Sequence, residues 1–249
     1  MKLYGLIGYP LGHSFSKEYF TRKFEKESLA DCFFELFPLI KIDQFNHLIQ
    51  SQLSLKGLCV TIPYKQSVIP FLHSISDEAK NIGAVNCIQM LPGGLKGHNT
   101  DVVGFEQSFI PHLKPHHNKA LVLGTGGASK AVQFVLNKLS IPFLIVSRVP
   151  AGNQCIGYNK IDKELLEEYT VIINCTPLGM YPNEDALPPL PYQNLSLQHY
   201  LYDLIYKPAE TKFLQQGKQT GATIKNGYDM LIIQAEENWR IWNGIVNGQ

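Results

Sequence analysis

The sequence has no Cys-x-x-Cys pair, no apolar run of membrane-spanning length, no dense block of Lys or Arg, and no internal repeat. Each absence excludes something. The five cysteines (Cys32, Cys59, Cys87, Cys155 and Cys175) are odd in number and scattered, which argues against a disulfide framework or a zinc site. Reduced, mostly buried thiols in the cytoplasm, and no bound metal, are the expectation. The opening Met-Lys-Leu-Tyr-Gly-Leu-Ile-Gly-Tyr-Pro is too short in its apolar run, and too broken by glycine, for a signal peptide. No later stretch approaches the length of a transmembrane helix. A formal net charge of +1 with no dense Lys or Arg block disfavours a dedicated surface for nucleic acid or an anionic membrane.

What is present is ordinary globular composition: 45% hydrophobic and 17% charged residues over 249 positions, enough for two domains with real cores. Short apolar runs alternate with longer amphipathic ones, the pattern of an α/β protein built on parallel strands. Strands are expected at 3–8, 33–37, 57–62, 85–90, 120–123, 143–146, 171–174 and 200–203. Helices are expected at 16–27, 44–50, from Asp101 onward, at 129–139 and at 230–242. The stretch from Pro111 to Lys119, with two prolines and three histidines, reads as a surface connection. This gives two α/β domains, with the last helix returning to pack on the first.

The segment Leu-Val-Leu-Gly124-Thr-Gly126-Gly127-Ala128-Ser129 places glycines directly after a strand and before a helix. The first glycine permits a tight turn, the second lets a pyrophosphate approach the backbone, and the helix N-terminus offers N–H groups to the phosphates. Ser129 stands at the third glycine position, where a small residue still permits close packing. The next strand ends Val146-Ser147-Arg148 with no carboxylate, whereas NAD sites carry Asp or Glu there to hold the ribose hydroxyls. A guanidinium pairs with a 2′-phosphate, so Arg148 favours NADP, although a single arginine also reads as a solvated surface residue.

The first half supplies polar groups beyond strand ends, where open α/β sheets bind ligands. These are Ser14 and Ser16, the hydroxyl and amine of Thr61 and Lys65, the amide of Asn86, and the carboxylate of Asp101. Each also has a plainer reading: Ser14, Ser16 and Asp101 as helix caps, Asn86 as a turn residue.

Taken together these motifs resemble the shikimate dehydrogenase family. The resemblance runs from Ser14 to Gln234 through Ser-x-Ser, Val-Thr-Ile-Pro-x-Lys, Gly-Ala-Val-Asn, Asn-Thr-Asp and Gly-x-Gly-Gly-Ala. It continues through Asn174-Cys-Thr-Pro-Leu-Gly-Met180, Asp203-Leu-Ile-Tyr206-Lys-Pro208 and Asn226-Gly-Tyr-Asp-Met230, ending at Gln234-Ala235. It implies an N-terminal substrate-binding catalytic domain (1–103 plus 229–249) and a Rossmann-type NADP-binding domain (104–228), with the active site in the cleft between them. It implies reversible NADPH-dependent reduction of 3-dehydroshikimate to shikimate in aromatic amino-acid (chorismate) biosynthesis, by a monomer or homodimer.

By the same resemblance Lys65 and Asp101 are the catalytic pair. The chemistry agrees: reducing a ketone needs a proton for the developing alkoxide, which a Lys ammonium stabilises and can supply while a carboxylate orients it. Ser14 and Ser16, with Tyr206, would hold the substrate carboxylate; Thr61, Asn86 and Gln234 would read its hydroxyls. Gly124, Gly126, Gly127, Ala128 and Ser129 would cradle the pyrophosphate, with Ser147 and Arg148 at the adenosine phosphate. Thr176, Leu204 and Gly227 would line the nicotinamide ribose, with Met230 near the ring; for Leu204 and Met230 core packing fits as well. Departures from the family pattern are Lys17 for Pro, Cys59 for Asn, Cys87 for Thr, Lys130 for Arg and Lys207 for Asn. Ser147-Arg148-Val149 matches the usual Asn-Arg-Thr only at Arg148. The alternative within enzymes is a quinate/shikimate dehydrogenase using NAD or NADP. A ligand-binding module that lost its chemistry would have lost Lys65 or Asp101, and a methylenetetrahydrofolate dehydrogenase-like enzyme would not need Ser14, Ser16 or the Asn99-Thr100-Asp101 segment.

Overall fold

The computed structural model describes residues 1–12 and 14–245, so the last four residues of the expected first domain, 246–249, lie outside the described residues. The chain divides into two compact units: Met1–Thr100 together with the chain from Gln234 onward, and Asp101–Ile233.

The first unit contains β1 (Lys2–Gly8), α1 (Phe15–Lys26), β2 (Cys32–Pro38), α2 (Phe45–Ser51), β3 (Leu55–Val60), β4 (Ser74–Ile75), α3 (Asp77–Ile82), β5 (Cys87–Leu91) and β6 (Gly94–His98). Its six-stranded sheet runs β2-β1-β3-β5-β6-β4. The sheet is built on parallel strands, as expected, and carries an antiparallel addition. β2, β1 and β3 are parallel, but β5 runs antiparallel to both β3 and β6. The cause is local, because the Pro92-Gly93 turn folds β6 straight back on β5, and so short a connection allows only an antiparallel pair. Alternation along β1 feeds two cores. Leu3 and Ile7 join Phe45, Leu58 and Val68, while Tyr4 and Leu6 join Phe20, Phe24 and Trp242.

The second unit contains α4 (Asp101–Phe109), β7 (Ala120–Leu123), α5 (Gly127–Lys138), β8 (Phe143–Val146), β9 (Cys155–Ile156), α6 (Lys163–Glu168), β10 (Val171–Asn174), β11 (Tyr200–Asp203), α7 (Lys212–Gln219) and β12 (Thr223–Lys225). The last helix, α8 (Tyr228–Trp242), contains the boundary between the units. The sheet order is β12-β11-β10-β7-β8-β9, and every pairing is parallel. Numbered from β7 as first strand, this is the doubly wound order 3-2-1-4-5-6, whose switch point lies between β7 and β10. Strands β7, β10 and β11 are buried at every residue, as parallel strands covered on both faces must be. The surface connection expected at 111–119 is corrected in part. His117 is buried, its Nδ1 accepting from Lys114 N–H at 3.0 Å and its Nε2 bonded to the Gln198 carbonyl at 3.1 Å.

Candidate functional site

In the first unit the polar groups collect at the ends of β1, β3 and β6. Ser14 is the N-cap of α1, accepting from Lys17 N–H at 3.4 Å, and Ser16 follows in the first turn. The capping reading is therefore realised for Ser14, and both hydroxyls sit half-buried at a helix N-terminus, where the dipole favours an anion. Thr61 leaves β3 with its N–H on the Ile7 carbonyl at 2.9 Å. Half-buried Lys65 follows, its carbonyl accepting from Val85 N–H at 2.7 Å.

Asn86 precedes β5 and is locked from both ends. Its Oδ1 accepts from Thr100 N–H at 2.7 Å and its Nδ2 donates to Thr100 Oγ1 at 3.0 Å. Gln234 lies on α8 with Oε1 3.5 Å from Asn86 Nδ2. Two further residues join this cluster: Thr100, which the Asn99-Thr100-Asp101 motif contains, and Asn238, which no motif contains. Asn238 is wholly buried and accepts from the Thr100 hydroxyl at 2.7 Å. The available signal was its spacing, one helical turn beyond Gln234 on the same face.

In the second unit Asp101 is the first residue of α4, buried, where the helix dipole stabilises a negative charge. It follows directly on Thr100, whose backbone N–H is tied to Asn86. Gly124 follows β7 with φ of +101°, a conformation that disfavours any side chain, and its N–H donates to the Val146 carbonyl at 2.9 Å. Gly126 is the N-cap of α5 and contributes no side-chain cap bond. A Cβ built on Gly126 would meet nothing within 4 Å. Open space beside the N–H groups of a helix terminus is what a dinucleotide pyrophosphate requires, so the turn fits that group. Ser129 is fully buried and its Oγ accepts from Gln133 Nε2 at 2.8 Å, so its side chain serves packing.

At the end of β8 the Ser147 hydroxyl is engaged locally, bonded to Val149 N–H and carbonyl at 3.2 and 3.1 Å. Arg148 extends from the same strand end into solvent. Beyond β10, Thr176 donates through N–H and hydroxyl to Asn174 Oδ1 at 3.0 and 2.7 Å. Leu204 N–H donates to the Asn174 carbonyl at 3.0 Å. Gly227 passes so near the Leu204 carbonyl that a Cβ would lie 2.2 Å from its oxygen, which explains the glycine. Tyr206 is half-buried and Met230 is buried in the first turns of α8. Among the described residues no group of three or more His, Cys, Asp or Glu could hold a metal ion, and no helix is long and apolar enough to cross a membrane.

Residues 6–88 match the model of the shikimate dehydrogenase substrate binding domain. Over 96% of its length the chain is 39% identical to the shikimate dehydrogenase (NADP+) of Clostridium beijerinckii, covering 92% of that protein. It is 35% identical to that of Methanosphaera stadtmanae, with 96% of this chain and 90% of the relative covered. The crystal structure of the Thermus thermophilus shikimate 5-dehydrogenase in complex with NADP(H) and shikimate superposes with a TM-score of 0.86 at 28% identity, covering 99% of this chain and 95% of that one. By sequence along nearly all of its length, the chain belongs to the NADP+-dependent shikimate dehydrogenase family.

Proposed function

We propose that this chain catalyses the reversible NADPH-dependent reduction of 3-dehydroshikimate to shikimate, with Lys65 and Asp101 as its catalytic residues. The observation that carries the reading is the presence of Lys65 in Val-Thr-Ile-Pro-Tyr-Lys and Asp101 in Asn-Thr-Asp, in a chain that matches a family member over 96% of its length. The nicotinamide, when bound, supplies the hydride that reaches the ketone carbon. The protein's part is the oxygen. The Lys65 ammonium stabilises the developing alkoxide and gives it a proton; in the oxidation direction the amine takes that proton back. The Asp101 carboxylate orients the amine.

The remaining assignments follow the chemistry of each group. Ser14 and Ser16 hold the substrate carboxylate at the α1 N-terminus, helped by Tyr206. Thr61, Asn86 and Gln234 read the hydroxyls. The Gly124–Ser129 turn holds the pyrophosphate through backbone N–H groups, and Arg148 pairs with the 2′-phosphate. Thr176, Leu204, Gly227 and Met230 bound the nicotinamide end. The first unit thus carries most of the substrate groups and the second the cofactor groups together with Asp101 and Tyr206, in a cytoplasmic enzyme working as a monomer or homodimer. The five cysteines, all free, support a reducing compartment.

Absorbance at the NADPH wavelength tests the reading, with shikimate and quinate each paired with NADP+ and NAD+. The expected result is turnover fastest with shikimate and NADP+. Equal or better turnover with quinate and NAD+ overturns it.

A further inference from the structure

Asn86 and Gln234 belong to a buried polar chain that no single element could hold. The Thr100 hydroxyl donates to Asn238 Oδ1 at 2.7 Å while accepting from Asn86 Nδ2 at 3.0 Å. Asn238 Nδ2 donates to Gln234 Oε1 at 3.4 Å and to Cys59 Sγ at 3.3 Å. Asn238 is therefore the hub, with its acceptor and its amide donors all spent inside the first unit at 0% exposure. An amide in that setting is costly unless every group is matched, and a matched one fixes its neighbours' orientation.

Two consequences follow for the groups assigned to substrate. Gln234 Oε1 receives N–H groups from both Asn238 and Asn86, which decides which way its planar amide lies. Asn86 is held by Thr100, and Thr100 is held by Asn238. One residue on α8 thus sets two amides on different elements.

The other partner of Asn238 is the thiol of Cys59, on β3 two residues before Thr61. A thiol is a weak donor and a weak acceptor and cannot organise hydroxyl and amide neighbours as an amide does. We propose that Asn238 is a positioning residue for the substrate, supplying from α8 the buried amide that position 59 lacks. It touches neither substrate nor cofactor; it acts through Gln234 and the Asn86–Thr100 pair. The proposal rests on the substrate roles assigned to Asn86 and Gln234.

The test compares Asn238→Ala, Gln234→Ala and the double variant Cys59→Asn/Asn238→Ala in steady-state assays. Asn238→Ala is expected to raise KM for shikimate about tenfold, the scale of one net hydrogen bond. KM for NADP+ should stay within about twofold, because the cofactor's groups lie on the other unit. The double variant restores one amide to the same space, and its shikimate KM should return to within about threefold of the parent. An unchanged shikimate KM in Asn238→Ala, equal rises in both KM values, or a double variant no better than the single overturns the proposal. If Asn238→Ala is too unstable to assay, the double variant alone decides: a shikimate KM still raised tenfold overturns it, and one near the parent's supports it. Gln234→Ala separates the two readings. An unchanged shikimate KM there sinks the substrate assignment itself and the positioning role with it.

Discussion

Asn174 and Asp203 stand opposite each other at the last paired positions of β10 and β11, with Asn174 Nδ2 donating to Asp203 Oδ1 at 3.0 Å. Both side chains are fully buried. Asn174 also accepts from Thr176, and Asp203 accepts from Ile205 N–H at 3.0 Å and from the Thr211 hydroxyl at 2.6 Å. The pair therefore shapes both loops that leave these strands, one carrying Thr176 and the other Leu204 and Tyr206. Removing the amide takes one of the two donors from Asp203 Oδ1, leaving Ile205 N–H as its partner, and releases the Thr176 turn. Asn174→Ala should lower stability by about 1–3 kcal/mol and raise KM for NADP+ more than KM for shikimate. Denaturant unfolding and steady-state kinetics check the two halves; unaltered stability would count against the pair.

Burial pushes the Asp203 carboxyl up to about 7, against the pull of its three hydrogen bonds. The native chain then keeps a proton that the unfolded chain releases near pH 4. Its contribution to stability is full below the unfolded value and declines as pH rises through about 7. Asp203→Asn abolishes that titration. The parent should lose stability relative to the variant between pH 5 and 8, measured as the difference in denaturant midpoints. A difference independent of pH would show that Asp203 does not titrate in this range.

Much of this arrangement is legible in the sequence and some is not. β7, β8, β10 and β11 run over the residues their apolar character indicates, because parallel strands covered on both faces, fully in β7, β10 and β11 and partly in β8, leave short runs of apolar residues. β6 (Gly-Leu-Lys-Gly-His) has two glycines and no β-branched residue, so propensity alone cannot reveal it; pairing with β5 creates it. The short helices α3, α6 and α7 also escaped notice, and each begins at a Ser, Asp or Thr cap whose side chain accepts from the backbone three residues on. The glycine turn and the strand-end polar groups announce themselves because their chemistry is unusual. Asn238 does not, since a polar residue on an amphipathic helix reads as surface until the tertiary contacts bury it.

Lys65→Ala removes the proposed proton donor while leaving the cofactor unit intact. Turnover should fall by about 10²- to 10⁴-fold, the usual contribution of a positioned acid or base. The dissociation constant for NADP+, measured by titration calorimetry or fluorescence, should be unchanged. Turnover within tenfold of the parent would remove Lys65 from the mechanism.

Arg148 separates NADP+ from NAD+. Replacing it with Ala deletes one charge-assisted contact to the 2′-phosphate, a loss of about 1.5–3 kcal/mol, or roughly ten- to hundredfold in KM for NADP+. KM for NAD+, which lacks the phosphate, should stay within twofold. If both KM values rise together, Arg148 supports the strand end and does not read the phosphate.

Acid should weaken each unit through one histidine, half-buried His98 in the first and buried His117 in the second. His98 on β6 and His117 beyond α4 are both held down to about 4, chiefly by burial, with Lys96 adding to the effect at His98 and His116 at His117. In the folded chain each is neutral at a pH where the unfolded chain has begun to take up a proton. Their contribution is therefore complete above about 6.5 and is lost as pH falls toward 4. For His117 the neutral ring also fits the bonds it makes, accepting at Nδ1 from Lys114 N–H and donating at Nε2 to the Gln198 carbonyl, a pattern that one tautomer of the neutral ring satisfies and the charged ring does not. His117→Gln should flatten the acid limb of a stability-against-pH curve between 6.5 and 4 while lowering stability at pH 7.5, where the ring's packing and bonds are lost. A variant that follows the parent's acid limb unchanged would mean that His117 is not the group that titrates.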